Sequence, residues 1–292
     1  MGSRGAATAV GFCAILLWSL LALFTTASGR IPPFQLAALT FAIGGLAGAA
    51  TWLWRRGGPA ALRQPWPVWL LGVGGLFGYH ALYFTAIKTA PPAEAGLICY
   101  LWPLLIVLFS AFLPQERLRA HYVIGALLGL AGTCILFFGG RSFALETDYI
   151  PGFAAAFVAA FVWATYSALS RRFAAVPTDA VAGFCLVTAA LAALFHLLFE
   201  QTVWPANLRE WGAVALLGIG PVGAAFYAWD HGVKHGDLRV LGAVSYLAPV
   251  LSTVFLVIAG FATASASLAL AALFITAGGM LAAKDMLLNQ SK

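Results

Sequence analysis

The segment Leu70-Leu71-Gly72-Val73-Gly74 returns 146 residues later as Leu216-Leu217-Gly218-Ile219-Gly220. At the same offset Arg63 matches Arg209, Lys88 matches Lys234, Gly96 matches Gly242, and Ala131-Gly132 matches Ala277-Gly278. Tyr100-Leu101-Trp102-Pro103 matches Tyr246-Leu247-Ala248-Pro249. Both copies are strongly apolar. The chain is 62% hydrophobic and 9% charged, whereas a soluble domain carries about 25% charged residues. Too few charges remain to cover a water-facing surface. A duplicated apolar half is the mark of a membrane protein made of two repeats with a path between them.

Pro, Gly and charge clusters divide the chain into ten apolar stretches, at about 7–27, 33–54, 67–88, 93–113, 121–139, 151–171, 179–200, 211–234, 239–259 and 266–286. Each approaches the ~20 residues that a helix needs to cross a bilayer core. Helices are expected because backbone amides in hydrocarbon must pair within their own segment. The short alternating strands of a membrane barrel are not visible. The first stretch, from Arg4 to Ala27-Ser28-Gly29, has the look of a cleaved signal. It is longer than the usual ~7–15 residue signal core and has a counterpart around Trp163, so it is read as a retained span. Cys13, Cys99, Cys134 and Cys185 lie inside apolar stretches without a CxxC pair, and read as small buried hydrophobes.

Alternate loops carry unequal charge. One side holds Arg4, Arg55, Arg56, Arg63, Arg117, Arg119, Arg171, Arg172, Lys234, Arg239, Lys284 and Lys292, which is 12 of the 16 basic residues. The other holds Arg30, Lys88, Arg141 and Arg209. The bias of Lys and Arg toward the cytoplasm puts both termini inside. The net charge of +6 is thereby a topology signal that requires no nucleic acid. Five spans per half is an odd number, so the second half is expected upside down relative to the first. Equivalent loops then lie on opposite faces. Glu116-Arg117-Leu118-Arg119, inside, corresponds to uncharged Ala262-Thr263-Ala264-Ser265, outside; Arg55 and Arg56 correspond to Gln201 and Thr202. The expected fold is an all-α integral membrane protein of ten transmembrane helices, arranged as two inverted five-helix repeats over 1–145 and 146–292.

Three pieces carry a family resemblance: Ala86 through Pro103, with proline inside the fourth span; Leu113-Pro114-Gln115-Glu116-Arg117-Leu118; and the following Gly125-Ala126-Leu127-Leu128-Gly129-Leu130-Ala131-Gly132. With five-plus-five helices, the whole chain resembles the EamA-like branch of the drug/metabolite transporter superfamily. The second half departs from that pattern by lacking the acid at Ala262. Within the branch, the aromatic content around Tyr79-His80-Ala81-Leu82-Tyr83 and Tyr100-Leu101-Trp102-Pro103 is similar to that of bacterial aromatic amino acid exporters. The resemblance implies outward transport, a direction that composition does not fix.

Polar groups at mid-membrane depth are functional candidates. Span three offers Tyr79, His80 and Tyr83; Tyr79 and Tyr83, four apart, share a helical face. Spans four and nine supply Tyr100, Trp102, Ser245 and Tyr246, and spans one and six supply Trp18 and Trp163. These nine are the expected lining of a substrate cavity. His80 and Asp230 are the candidates for proton coupling, since imidazole titrates near neutrality and a carboxyl does so when desolvated. Asp230 is alternatively an interfacial charge paired with Lys234. Glu94 is expected to cap its helix or pair with Lys88, and His231 and His235 to lie at the interface. Pro103 and Pro249, mid-span at matching positions, are expected kinks or hinges. Trp52, Trp54, Trp66, Trp69, Trp204 and Trp211 sit near span ends and fit an interfacial belt. The spacings Gly44–Gly48 and Gly74–Gly78 suit close helix packing.

No HExxH, Walker loop, GxSxG or metal-ligand spacing is present, so no cofactor and no metal are expected. The reading is a secondary transporter in the bacterial inner membrane. It exports aromatic and other neutral amino acids, or similar small metabolites, by alternating access through a central cavity. The alternatives are an exporter of drugs, nucleosides or other metabolites, and a membrane-embedded lipid-modifying enzyme. The expected partners are an amino-acid-like substrate and the lipid bilayer. A single copy already contains both orientations and suffices for a path.

Overall fold

A computed structural model describes residues 2–53, 58–113, 117–139 and 147–289. The expectations placed on Trp54, Arg55, Arg56, Pro114, Gln115, Glu116, Arg141 and Lys292 lie outside the described residues. Among the described residues, ten helical spans are long and apolar enough to cross a membrane: Arg4–Ala27, Pro33–Leu53, Trp66–Thr89, Glu94–Phe112, Ala120–Phe138, Thr147–Phe173, Thr178–Phe199, Leu208–His235, Leu238–Ile258 and Ala266–Asp285, here spans 1 to 10. Each begins and ends within four residues of the apolar stretch that announced it. No strand occurs among the described residues.

Side-chain contacts between loops sort onto two ends of the bundle. At one end Arg4 meets Asp237 at 3.3 Å and Arg119 meets Asp285 at 2.7 Å. At the same end Arg239 donates to the Arg117 carbonyl at 2.8 Å, and Arg171 to that of Gly236 at 2.7 Å. At the other end Lys88 meets Glu200 at 3.3 Å, and Glu200 accepts from the Phe34 and Gln35 amides at 3.1 Å. The first end is the basic face, and every pair joins residues that the alternating loop count puts on one side.

Span 1 packs on span 8, span 6 on span 3, span 2 on span 7, span 4 on span 9 and span 5 on span 10. This set of pairs is unchanged when spans 1–5 are exchanged with spans 6–10. Glycines bring spans together backbone against backbone, as Gly125 of span 5 does on the Gly278 carbonyl of span 10. A Cβ built on Gly44 of span 2 would stand 2.8 Å from the Gly223 Cα of span 8. One on Gly232 would stand 2.5 Å from the Gly11 Cα of span 1. The Gly44–Gly48 spacing therefore is a packing seam, Gly48 lying under Tyr227. The Gly74–Gly78 spacing is not: Gly74 faces open space and Gly78 has only Val162, at 3.7 Å. Those residues instead form a π-helical turn, Gly74–Gly78, which recurs as Gly220–Ala224 in span 8. Close packing in span 3 falls to Gly72, under Phe184, and Gly75, under Tyr166.

Spans 4 and 9 are each broken once. Helix Pro92–Cys99 gives way to Trp102–Phe109, and Leu238–Val244 to Leu247–Ile258. Pro103 and Pro249 lie in the first turn after each break. A proline there has no amide for the carbonyl four residues back and clashes with it, which ends the helix upstream. Of the belt tryptophans, Trp66 and Trp204 are 73% and 61% exposed, and Trp211 stacks on Trp204 at 6.0 Å. Trp69 instead packs inward on Phe184 at 5.3 Å, and Trp52 lies half-buried against Gly58. Cys99 and Cys185 are buried, but Cys13 is exposed on the outside of the bundle, contrary to expectation.

Candidate functional site

Four tryptophans from four spans meet at the centre. Trp18, Trp102, Trp163 and Trp229 make all six possible ring pairs, with centroids from 5.1 to 6.3 Å apart. Aromatic rings at such spacing prefer edge-on or offset geometry, and five of the six pairs are edge-on or tilted. Each buried indole needs a partner for its N–H. Trp229 donates to the Ser167 hydroxyl at 3.0 Å. Trp18 donates to the Pro221 carbonyl at 3.1 Å, inside the π turn of span 8. Phe226 closes the cluster, 5.8 Å from Trp163 and stacked on Phe41 at 5.4 Å.

On the side of this cluster away from the basic face stand Tyr79, His80, Tyr83 and Tyr100. Tyr79 and Tyr83 stack nearly parallel at 6.0 Å, as their four-residue spacing on one face requires. Tyr79 lies 5.4 Å from Trp163 and joins the two groups. All four sit deep in the bundle, yet each is only half-buried. Their uncovered surfaces leave space beside them, whereas the neighbouring Trp102, Trp163 and Trp229 are packed tight, at 6%, 3% and 0% exposure. The His80 Nδ1–H donates to the Leu76 carbonyl at 2.7 Å. A carbonyl only accepts, so this bond fixes the tautomer and leaves Nε2 as the free acceptor of the neutral ring.

Ser245 and Tyr246 do not belong to this group. Both are fully buried. Ser245 Oγ donates back to the Leu241 carbonyl at 2.6 Å, and the Tyr246 ring covers Gly129 of span 5 in a separate apolar cluster with Tyr122 and Ile275. The break in span 9 lets its ring turn toward span 5, whereas Tyr100, at the matching place in span 4, stays half-exposed against Phe137. Asp230 is buried, not interfacial. It holds Lys234 at 2.8 Å, with side chains 2% and 3% exposed, and accepts from Thr178 at 2.7 Å. Lys234 also donates to the Val176 carbonyl at 3.0 Å. The pair ties span 8 to the connection between spans 6 and 7, on the basic-face side of the tryptophans. Lys88, the expected partner of Glu94, pairs with Glu200. His231 and His235 lie with their rings tilted to each other, 4.9 Å apart, near the basic face.

Sequence reasoning left Trp229, Phe226 and Phe41 out of the site, although Trp229 stands at the repeat position of Tyr83. It also missed Glu200. Burial pushes this carboxyl up, but the Phe34 and Gln35 amides, His196 and Lys88 together bring it below the usual carboxylate range. An acid on the last residue of an apolar stretch, four after a histidine, was the available signal.

The EamA-like transporter family matches residues 5–138 and again residues 150–283. The chain belongs to this family. It is a membrane transporter and not an enzyme. Among its EamA-like relatives, the aromatic amino acid exporter YddG of Ancylobacter novellus is 61% identical over 96% of this chain and 98% of that protein. The aromatic amino acid exporter YddG of Escherichia coli is 28% identical over 96% and 97%. The pseudopaline exporter CntI of Pseudomonas aeruginosa is 30% identical over 68% of each chain. A crystal structure of a protein 60% identical to this one superposes with a TM-score of 0.92, covering 96% of this chain and 97% of that one.

Proposed function

We propose that this protein exports aromatic and other neutral amino acids across the bacterial inner membrane by alternating access between two inverted halves, 1–145 and 146–292. The observation that carries this reading is the half-buried group Tyr79, His80, Tyr83 and Tyr100 set against the four packed tryptophans. The rings offer an apolar, flat-walled receptacle for a side chain. The tyrosine hydroxyls and His80 Nε2 offer hydrogen bonds for the polar end. Among the described residues, the ring contacts of Tyr79, His80, Tyr83 and Tyr100 are with other aromatic side chains, and no ion pair involves them. A zwitterion therefore fits, whereas an extra charge would be desolvated without a partner. The relatives named as aromatic amino acid exporters agree with that chemistry.

The basic face is the cytoplasmic one under the positive-inside bias, so both termini are cytoplasmic. The tryptophan cluster and the Asp230–Lys234 tie stand between the open space and that face. Transport then requires the spans holding them to part, with the breaks before Pro103 and Pro249 as hinges. Of the two candidates for proton coupling, His80 is the one left, since Asp230 is committed to Lys234. One copy of the chain suffices. The test is flux of labelled phenylalanine, tryptophan, threonine and methionine in proteoliposomes, with glutamate and lysine as charged controls. Saturable flux of the aromatic pair is expected. Absence of flux for all four, or equal flux of the charged controls, would overturn the reading.

A further inference from the structure

A groove of about 490 Å³ runs between spans 3 and 6 on the outside of the bundle, lined by none of Tyr79, His80, Tyr83 and Tyr100. Trp66, Leu70, Gly74, Phe161, Thr165 and Phe173 line it. Its extent is set by the helices. From Trp66 to Gly75 on span 3, and from Phe161 to Phe173 on span 6, helix rise gives a length of roughly 14–18 Å. Half the hydrocarbon thickness of a bilayer is about 15 Å. The groove thus covers one leaflet and stops at the midplane. A transmembrane helix of another protein would run through both leaflets, but an acyl chain runs through one.

The end of the groove at the basic face is charged. Arg172 precedes Phe173, Arg63 lies three residues before Trp66, and both arginines are exposed. Trp66, 73% exposed at the mouth, has the amphipathic ring that seats at headgroup level. We propose that this groove binds one anionic phospholipid, its acyl chain between spans 3 and 6 and its phosphate met by Arg63 and Arg172. The floor of the groove includes Tyr166, whose ring lies 5.2 Å from Trp163. A seated chain therefore backs the aromatic cluster from the lipid side. This site is separate from the amino acid path and stands whatever the transported molecule is.

The test is native mass spectrometry of the full chain, extracted in mild detergent and supplied with phosphatidylglycerol or phosphatidylethanolamine of matched acyl chains. The wild type should retain one phosphatidylglycerol in preference to phosphatidylethanolamine. Each arginine near a headgroup contributes about 1 kcal/mol, so Arg63→Gln with Arg172→Gln should weaken phosphatidylglycerol retention roughly 30-fold. Retention of phosphatidylethanolamine should stay as it is. Gly74→Leu puts a side chain into the open space of the groove, and Leu70→Trp covers its rim from an exposed position. Either should abolish the retained lipid while the protein stays monodisperse. Equal retention of the two lipids by the wild type, an unchanged preference in the double glutamine variant, or full retention in both filled variants would overturn the proposal.

Discussion

Asp230→Asn removes one charge from an ion pair whose side chains are only 2% and 3% exposed. The Lys234 ammonium would keep the Val176 carbonyl, 3.0 Å away, and lose its carboxylate at 2.8 Å. Breaking a buried pair from one side costs about 3–5 kcal/mol, because the remaining charge is left uncompensated. Lys234→Met should cost a similar amount, leaving the carboxylate with the Thr178 hydroxyl. The double variant removes both charges at once and escapes that penalty, so it should be less damaging than either single change. The coupling read from the cycle should therefore be at least about 3 kcal/mol. Unfolding of the micelle-embedded protein by denaturing detergent measures all four corners. Single variants costing under about 1 kcal/mol, or a double variant equal to the sum of the two, would refute the claim that the pair is dry and mutually dependent.

Tyr79→Phe, Tyr83→Phe and Tyr100→Phe each delete one hydroxyl beside the open space. Each that binds substrate should raise the KM of phenylalanine transport by roughly 3–15-fold with little change in maximal rate, read from proteoliposome flux. Tyr246→Phe, in a separate buried cluster, should leave KM unchanged. Trp163→Ala opens a void among three other indoles and should destabilise the protein by about 3–5 kcal/mol, measured by the same unfolding. Glu200 has a depressed carboxyl, so its stabilising contribution is complete above the unfolded value of 4.5 and is lost as pH falls through the lower folded value. Glu200→Gln should flatten the acid limb of the melting-temperature profile, and an unchanged limb would show that the carboxylate adds nothing. Gly44→Leu would drive a side chain into the Gly223 backbone and should abolish a monodisperse peak on size-exclusion chromatography.

The spans were legible because each is a solvent-dictated event: about twenty apolar residues bounded by charge, Pro or Gly. The pairing of Tyr79 with Tyr83 was legible for a similar reason, since a four-residue step on a helix fixes it locally. What escaped depends on how helices rotate against one another. Tyr100 and Tyr246 occupy equivalent places in sequence, yet one borders space and the other fills the gap over Gly129. Nothing in the local sequence announces that difference. Gly74–Gly78 matched a packing spacing, but widening of the helix there turned Gly75 and Gly72 to the neighbours instead. Asp230 and Lys234 were correctly paired by their four-residue step; their burial came from the Val176–Thr178 connection folding over them.

The two wide turns have a mechanical consequence. Each presents a main-chain oxygen to an aromatic N–H: Pro221 O to the Trp18 indole and Leu76 O to the His80 imidazole. Ring angle is thereby geared to local helix pitch. Should either coil wind tighter by one residue, its acceptor swings aside, and the attached heterocycle must pivot or let go. The His80 ring would thus report the winding of its own span, and the Trp18 ring would carry the winding of span 8 into span 1.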